Sequence, residues 1–336
     1  MPKTAKKKSS SSKGKATPKP AARKGSKKIL FLFGILGLFI TADLISVIYN
    51  KANEAKVISV QKVQEFTGDG QASGAFKGWD ILALPNNTVA LTDQGQNRIL
   101  LFDRQGKFLF KIDQEQSGLP PFKEPSCLTA DPNGNLYVMD TWNTMIRGFN
   151  SNGDSTLKLD MSAKGFYGPR GLAWDNNAFV IADTGSHRVA KVSLDGNTVG
   201  AWGTRGSGKG MFNNPYEIAT DGHSNYYVVD RDNNRIQVLD SQGRFVREIR
   251  VGAPPTAEAI DPQRRLLYVT SQDGQFVKVY DLEGKYIGAV FEAGQKGQAL
   301  SGIGALSVFP DGDIAMLRDG SRVQIYHTVP TPEKTQ

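Results

Sequence analysis

A strand, turn and strand unit that recurs along the chain constrains the fold more than any other feature. It stands as A-F-V-I-A-D-T-G-S-H-R-V (Ala178 to Val189) and again as T-V-A-L-T-D-Q-G-Q-N-R-I, N-L-Y-V-M-D-T-W-N-T-M-I and N-Y-Y-V-V-D-R-D-N-N-R-I, which begin at Thr88, Asn135 and Asn225. Two eroded copies follow, from Arg265 to Val277 and from Asp313 to Val323. The aligned positions Asp93, Asp140, Asp183, Asp230, Ser271 and Arg318 lie 47, 43, 47, 41 and 47 residues apart, which makes six units. An apolar strand precedes each unit, as in P-Y-E-I-A-T-D, and a strand opened by Gly follows most of them, as in G-R-F-V-R-E-I. Four short strands per period in the forties, joined by turns rich in Gly, Asn and Asp, is the spacing of a propeller blade. The second strand is apolar on both sides, as in Tyr226 to Val229, which suits a strand pressed between neighbouring blades.

The sixth unit ends at Q-I-Y-H-T and lacks its last strand. The missing piece is expected at the other end of the repeat region, in V-I-S-V-Q-K-V-Q-E-F (Val57 to Phe66), so that the ring closes from the N-terminal side and an open sheet edge disappears. The expected organisation is a propeller over residues 57–329, a linker over 50–56 and a short tail over 330–336.

Residues 1–28 hold ten Lys and Arg23 and no acid. Taking these 11 from the 41 basic residues leaves 30 against 33 acidic ones, so the rest of the chain is near −3 and the net +8 describes a tail. Nucleic-acid binding by the repeat region is therefore not expected. The tail has too little apolar surface to fold and is expected to be disordered. Residues 29–49, I-L-F-L-F-G-I-L-G-L-F-I-T-A-D-L-I-S-V-I-Y, would rise about 31 Å as a helix, close to a hydrocarbon core of roughly 30 Å. They are expected to be a signal-anchor helix, with Asp43 near the far interface. The rival is a secretory signal cut after Ala42, for which Ile40 is a poor residue at the third position before the cut. Positive charge ahead of the span sets the N-terminus in the cytoplasm and the repeats outside, at the inner membrane of a bacterium.

The pattern V-x-D-T/R-x-N-x-R-I, preceded by a P-x-x-I/L-A strand and followed by one opened by Gly, resembles the NHL repeat over Val57 to Thr328. The resemblance implies an all-β chain, a six-bladed β-propeller with four-stranded blades. NHL propellers are associated with protein or RNA binding, with extracytoplasmic sensor domains of bacterial kinases and, in one branch, with a zinc-dependent amidating lyase. Fold alone does not choose among these.

Several motifs invite chemistry and are better explained by the repeat. Asp93 with Arg98, Asp183 with Arg188 and Asp230 with Arg235 are five apart across the turn between second and third strands. There a carboxylate can accept turn amides and pair with the Arg to lock the hairpin. Met145 stands where the second unit should have Arg, and the fifth unit has Ser271 and Phe276 for Asp and Arg, which leaves those two turns open to another use. His187, His223 and His327 fall on different faces, so a three-His zinc site is not expected. The single cysteine, Cys127, excludes an internal disulfide and is expected to be a small buried group. The Gly-rich stretches Gly206 to Gly210 and Gly68 to Gly74 serve the passage between blades rather than a phosphate.

The candidate site is positional. Starts of first strands and turns between second and third strands share one face of a propeller, around the channel mouth. In register, Asp80, Ser126, Arg170, Tyr216 and Thr256 take equivalent inner positions, with Trp79 and Glu217 beside two of them. Trp142, Arg231 and Arg318 come from the turns. The expected ligand-binding set is Trp79, Asp80, Trp142, Arg170, Tyr216, Glu217, Arg231 and Arg318, because aromatic and Arg groups converging on a concavity make anchors. No catalytic residue, metal ligand or cofactor motif is assigned. The expected function is non-enzymatic binding or sensing of a protein, peptide or glycan by a membrane-anchored propeller. The alternative is a hydrolase or lyase using the carboxylates of Asp80, Glu217 and Glu258, with Ca²⁺ as a possible oxygen-seeking ion.

Overall fold

The computed structural model describes residues 56–68, 75–113, 120–274, 276–293, 300 and 302–328. The expected tail, anchor and C-terminal segment (1–28, 29–49 and 330–336) lie outside the described residues, and so does nearly all of the linker. Among the described residues no helix is long and apolar enough to cross a membrane.

Every regular element of the repeat region is a strand or a single 3₁₀ turn. Strand β1 is Lys56–Phe66. The first unit then runs β2 (Gly78–Ala83), β3 (Thr88–Asp93), β4 (Arg98–Asp103) and β5 (Phe108–Ile112). The second runs β6 (Pro125–Ala130), β7 (Leu136–Asp140), β8 (Met145–Phe149) and β9 (Ser155–Asp160), and the third β10 (Gly171–Trp174), β11 (Ala178–Asp183), β12 (Arg188–Ser193) and β13 (Thr198–Trp202). The fourth runs β14 (Pro215–Thr220), β15 (Tyr226–Asp230), β16 (Arg235–Leu239) and β17 (Phe245–Arg250). The fifth has β18 (Pro255–Asp261), β19 (Leu266–Ser271), β20 (Lys278–Asp281) and β21 (Tyr286–Glu292), and the sixth β22 (Ile303–Val308), β23 (Ile314–Arg318) and β24 (Arg322–Thr328).

The first four units are separate four-stranded antiparallel sheets, and the fifth and sixth share one eight-stranded sheet. The expectation of six separate blades is corrected to four blades and this double sheet. The cause is β1. Its residues Val60 to Phe66 pair antiparallel with β24, as the closure argument requires, while Lys56 to Val60 pair in parallel with Gly288 to Glu292 of β21. One strand therefore completes the sixth unit and seals it to the outer edge of the fifth.

The second strands explain the packing. All residues of β3, β7, β11 and β15 are buried, because such a strand is covered on both faces by its neighbours. Apolar clusters bridge each unit to the next. Val138 and Phe149 pack with Ile99 and Leu101, Val192 with Met139, and Tyr226 with Val180. The last cluster joins Val323 and Ile325 of the sixth unit to Leu91 and Phe102 of the first, so the ring is closed by apolar burial as well as by β1.

Candidate functional site

The hairpins between second and third strands are built alike. Asp93, Asp140, Asp183 and Asp230 are fully buried. One carboxylate oxygen of each accepts the backbone N–H of the loop that leads into its own first strand: Lys77 at 3.0 Å, Lys123 at 2.7 Å, Tyr167 at 2.9 Å and Asn213 at 2.7 Å. The other oxygen takes a guanidinium, 2.8 Å from Arg98, 2.8 Å from Arg188 and 2.7 Å from Arg235. These aspartates hold the hairpin against the approach loop, and their orientation is structural. His187 occupies the left-handed position of its turn, with φ 53°, and accepts the N–H of Asn214.

The second turn is not open, contrary to the expectation drawn from Met145. Arg147 pairs with Asp140 instead. It sits two residues beyond Met145 and so points to the same side of β8, and it also donates to the carbonyls of Pro120 and Pro121. The fifth turn does depart from the pattern. Ser271 donates to Asp273 at 2.6 Å, and Ser271, Gln272 and Gly274 line a cavity at the channel mouth.

Strand register corrects one alignment. Opposite Asp93, Asp140, Asp230, Ser271 and Arg318 stand Gly78, Pro125, Pro215, Pro255 and Ile303, and in the third unit Gly171 stands opposite Ala182, the residue before Asp183. The equivalent inner residues are therefore Trp79, Ser126, Arg170, Tyr216, Thr256 and Gly304. Asp80 lies one level deeper, with Cys127, Gly171, Glu217, Ala257 and Ala305. Gly78 stands where the next four units have Pro125, Pro169, Pro215 and Pro255, so without that marker an alignment of the first strand by eye falls one residue late. Glu258 is one level deeper again, where the other units have Ile81, Leu128, Leu172, Ile218 and Leu306.

The mouth is a pocket of about 410 Å³ walled by Trp79, Tyr216, Glu217, Arg231, Thr256, Ile303 and Leu317 together with the fifth turn. The Trp79 and Tyr216 rings are 6.3 Å apart. The Arg170 guanidinium lies 5.7 Å from the first ring and 5.6 Å from the second, and that of Arg231 lies 4.7 Å from Tyr216. Of the eight expected residues, Trp79, Tyr216, Glu217 and Arg231 line this pocket, and Arg170 stands over two of its rings without lining it. Asp80 lines the channel below and not the mouth. Trp142 is half exposed and packs near Gly168 outside the pocket, and Arg318 lies beside Asp319 at 3.9 Å and is not among the residues that line the pocket.

Below the mouth the channel holds a second cavity of about 270 Å³, lined by all six inner strands and by Asp80, Cys127, Glu217 and Glu258. Burial pushes Asp80 up to about 6, opposed by the N–H groups of Leu128 and Ile81, each 2.8 Å away. Burial and then the Asp80 and Glu258 charges push Glu217 well above the usual carboxylate range. Burial does the same to Glu258. Neither of its carboxyl oxygens meets a donor in hydrogen-bond geometry, although the Ala219 N–H faces it and pulls weakly the other way. The Cys127 thiol is raised well above its ordinary value by burial and then by Asp80 and Glu217, so it is protonated and no nucleophile.

A zinc site of the amidating-lyase kind does not fit this chain. His187 is in the turn after β11, His223 in the turn between β14 and β15 at the other end of the strands, and His327 on β24 beside Asp313 at 2.7 Å. Among the described residues no three His, Cys, Asp or Glu side chains gather to hold a metal ion.

The sequence matches no protein-family model. Over 177 residues, 46% of this chain and 49% of the relative, it is 28% identical to NHL repeat-containing protein 3 of Mus musculus. Over 182 residues, 46% of this chain and 49% of the relative, it is 27% identical to the Homo sapiens protein of that name. The matched part thus spans about half the length of these curated relatives (49% of each). A solved streptogramin B lyase structure superposes with a TM-score of 0.60 at 12% identity, over 79% of this chain and 98% of that one. The fold is that of a β-propeller, and its repeats are similar in sequence to those of NHL repeat-containing protein 3. At 12% identity the likeness to the lyase is one of fold.

Proposed function

We propose that the propeller is a non-enzymatic recognition domain that binds a protein, peptide or glycan through the channel-mouth face. The observation that carries this is that Trp79, Tyr216 and Arg231 wall one 410 Å³ pocket and Arg170 stands over the same two rings, since clustered aromatic and Arg side chains supply most of the energy of binding surfaces. Residues 29–49 tether the domain to a bacterial inner membrane, with the Lys-rich tail in the cytoplasm and the propeller outside.

Affinity capture with the full-length chain from membranes of the source cells tests it. A partner retained by the parent and by His223→Ala on the opposite face, but lost with Trp79→Ala/Arg170→Ala/Tyr216→Ala at unchanged thermal midpoint, supports recognition by this face. A partner retained by the triple variant refutes it. Protease added to spheroplasts should digest the propeller; full protection refutes the orientation.

A second proposal, a lyase or hydrolase, draws on Glu217, which borders both mouth and channel and whose raised pKa suits a general acid. Turnover of any small substrate that Glu217→Gln abolishes without loss of binding would support it.

A further inference from the structure

Two guanidinium groups flank the Tyr216 ring at the mouth, 5.6 Å and 4.7 Å from its centre. Among the described residues neither Arg170 nor Arg231 has a carboxylate partner, whereas the hairpin arginines Arg98, Arg147, Arg188 and Arg235 all do. Their neighbours are rings, Trp79 and Tyr216. A cation–π contact engages the charge and fixes the side chain, but it uses few of the five N–H donors of a guanidinium. The carboxyl groups just below do not supply the missing anion. Glu217 accepts the Glu258 N–H at 3.3 Å and neither glutamate forms an ion pair with Arg170 or Arg231 among the described residues, while burial, joined at Glu217 by its acidic neighbours, pushes both carboxyls toward the neutral form. Asp80 has both oxygens committed to backbone N–H groups inside the channel.

The rest of the wall narrows the ligand. Ile303, Leu317, Trp79 and the Tyr216 ring are apolar, and four glycines on the sixth-unit side and the adjacent turns (Gly78, Gly302, Gly304 and Gly320) leave that wall without side chains. Polar groups are few: Thr256, Ser271 and Gln272 at one edge. A polyhydroxylated body would leave most of its hydroxyls unmatched there, at a cost for each one. A cationic ligand would meet two guanidinium groups already seated on the rings.

We infer that the mouth pocket binds a carboxylate carried on an apolar body, with Arg170 and Arg231 taking the carboxylate oxygens and Trp79, Ile303 and Leu317 covering the body. This rests on the proposal that the mouth face is the recognition surface, and it names the group that surface selects. Both guanidinium groups contact the Tyr216 ring, at 5.6 Å and 4.7 Å, so a carboxylate seated at the rim beside that ring comes within reach of both, and charged hydrogen bonds from guanidinium donors make such recognition specific.

Isothermal titration of the full-length chain with 4-phenylbutyrate, 4-phenylbutanamide, 4-phenylbutylamine and glucuronate separates the possibilities. The expected result is saturable 1:1 binding of 4-phenylbutyrate, with the amide weaker by about tenfold or more, as for loss of a charged hydrogen bond. The amine and glucuronate should be weaker still. Arg170→Gln and Arg231→Gln should each weaken the carboxylate by about tenfold while leaving the amide unchanged, and His223→Ala should change neither. Equal affinity for acid and amide, tighter binding of glucuronate, undiminished binding to Arg170→Gln/Arg231→Gln, or no saturable binding of 4-phenylbutyrate would each overturn the inference. A macromolecular partner still lost with the Trp79, Arg170 and Tyr216 triple variant would then leave recognition by the mouth standing, with a different selected group.

Discussion

Arg147 reaches the carboxylate of Asp140 from a position two residues beyond the one that carries the arginine in the first, third and fourth hairpins. Both side chains are buried, Arg147 at 1% exposure and Asp140 at 0%. Burial raises the Asp140 pKa, and Asn143, the Lys123 N–H and the Arg147 charge oppose that rise. A lone carboxylate in this place would be strongly penalised. Arg147→Met is therefore expected to destabilise the domain by about 3–5 kcal/mol, the usual cost of removing one member of a buried ion pair. Chemical denaturation at pH 7 measures it. A loss under about 1 kcal/mol, the value typical of an exposed pair, would show that Arg147 does not fasten this hairpin.

That pair marks what the sequence made legible and what it did not. The six units, the buried second strands and the closing role of Val57 to Phe66 follow from period and hydrophobicity, because a repeat that misplaces one blade misplaces its neighbours too. Side-chain substitution within a hairpin is a subtler matter. Arg147 does at position +2 what Arg188 does at position 0, and only the shared side of the strand reveals it. The parallel seam between β1 and β21 was hidden for a different reason, since backbone pairing at an outer edge leaves no side-chain signature. At the site, Trp79, Tyr216 and Arg170 were readable from strand starts. Ile303 and Leu317 were not, because aliphatic residues there look like core. Glu258 stands alone at an otherwise aliphatic level, and that irregularity in the register was the available signal.

Gly171 offers a second test. A Cβ there would lie 2.8 Å from Cα and 3.0 Å from the carbonyl carbon of Glu217, backbone atoms that cannot swing away. Gly171→Ala should cost about 1–3 kcal/mol by overpacking, where relief of chain entropy alone would stabilise by roughly 0.4–1 kcal/mol. Because the displaced strand is β14, which carries Tyr216 and Glu217, ligand binding at the mouth should weaken in parallel. A thermal midpoint at or above the parent's would contradict the close approach of β10 and β14.

The channel carboxyls make stability depend on pH in a set direction. Asp80, Glu217 and Glu258 all have raised pKa values in the folded protein, so the native state keeps protons that the unfolded chain releases. Their contribution is complete below about pH 4 and is lost as pH rises, through about 6 for Asp80 and higher for the two glutamates. Glu258→Met removes one such group along with two unpartnered oxygens at similar volume. It should stabilise the domain by about 1–3 kcal/mol at pH 8, with a smaller gain at pH 4. Denaturant midpoints of parent and variant across pH 4–8 give the comparison. A difference that shrinks as pH rises would mean Glu258 is ionised and paired in the native state.

Val60 tests the seam. It is fully buried, pairs with Glu292 of β21 on one side and Thr328 of β24 on the other, and its carbonyl accepts the N–H of Ala293 at 2.7 Å. Val246, on the outer strand of the fourth unit, is 43% exposed, and among the described residues its strand has no partner on its outer side. Val60→Asp should therefore cost more than about 3 kcal/mol by burying a charge without a partner, while Val246→Asp should stay within about 0.5 kcal/mol of the parent. Hydrogen exchange distinguishes local from global failure. If β1 joins the fifth and sixth units, the amides of β21 and β24 should lose protection together in Val60→Asp, well before those of β5, β9 and β13. Loss of protection in β24 alone would mean that the parallel pairing with β21 adds nothing to the ring.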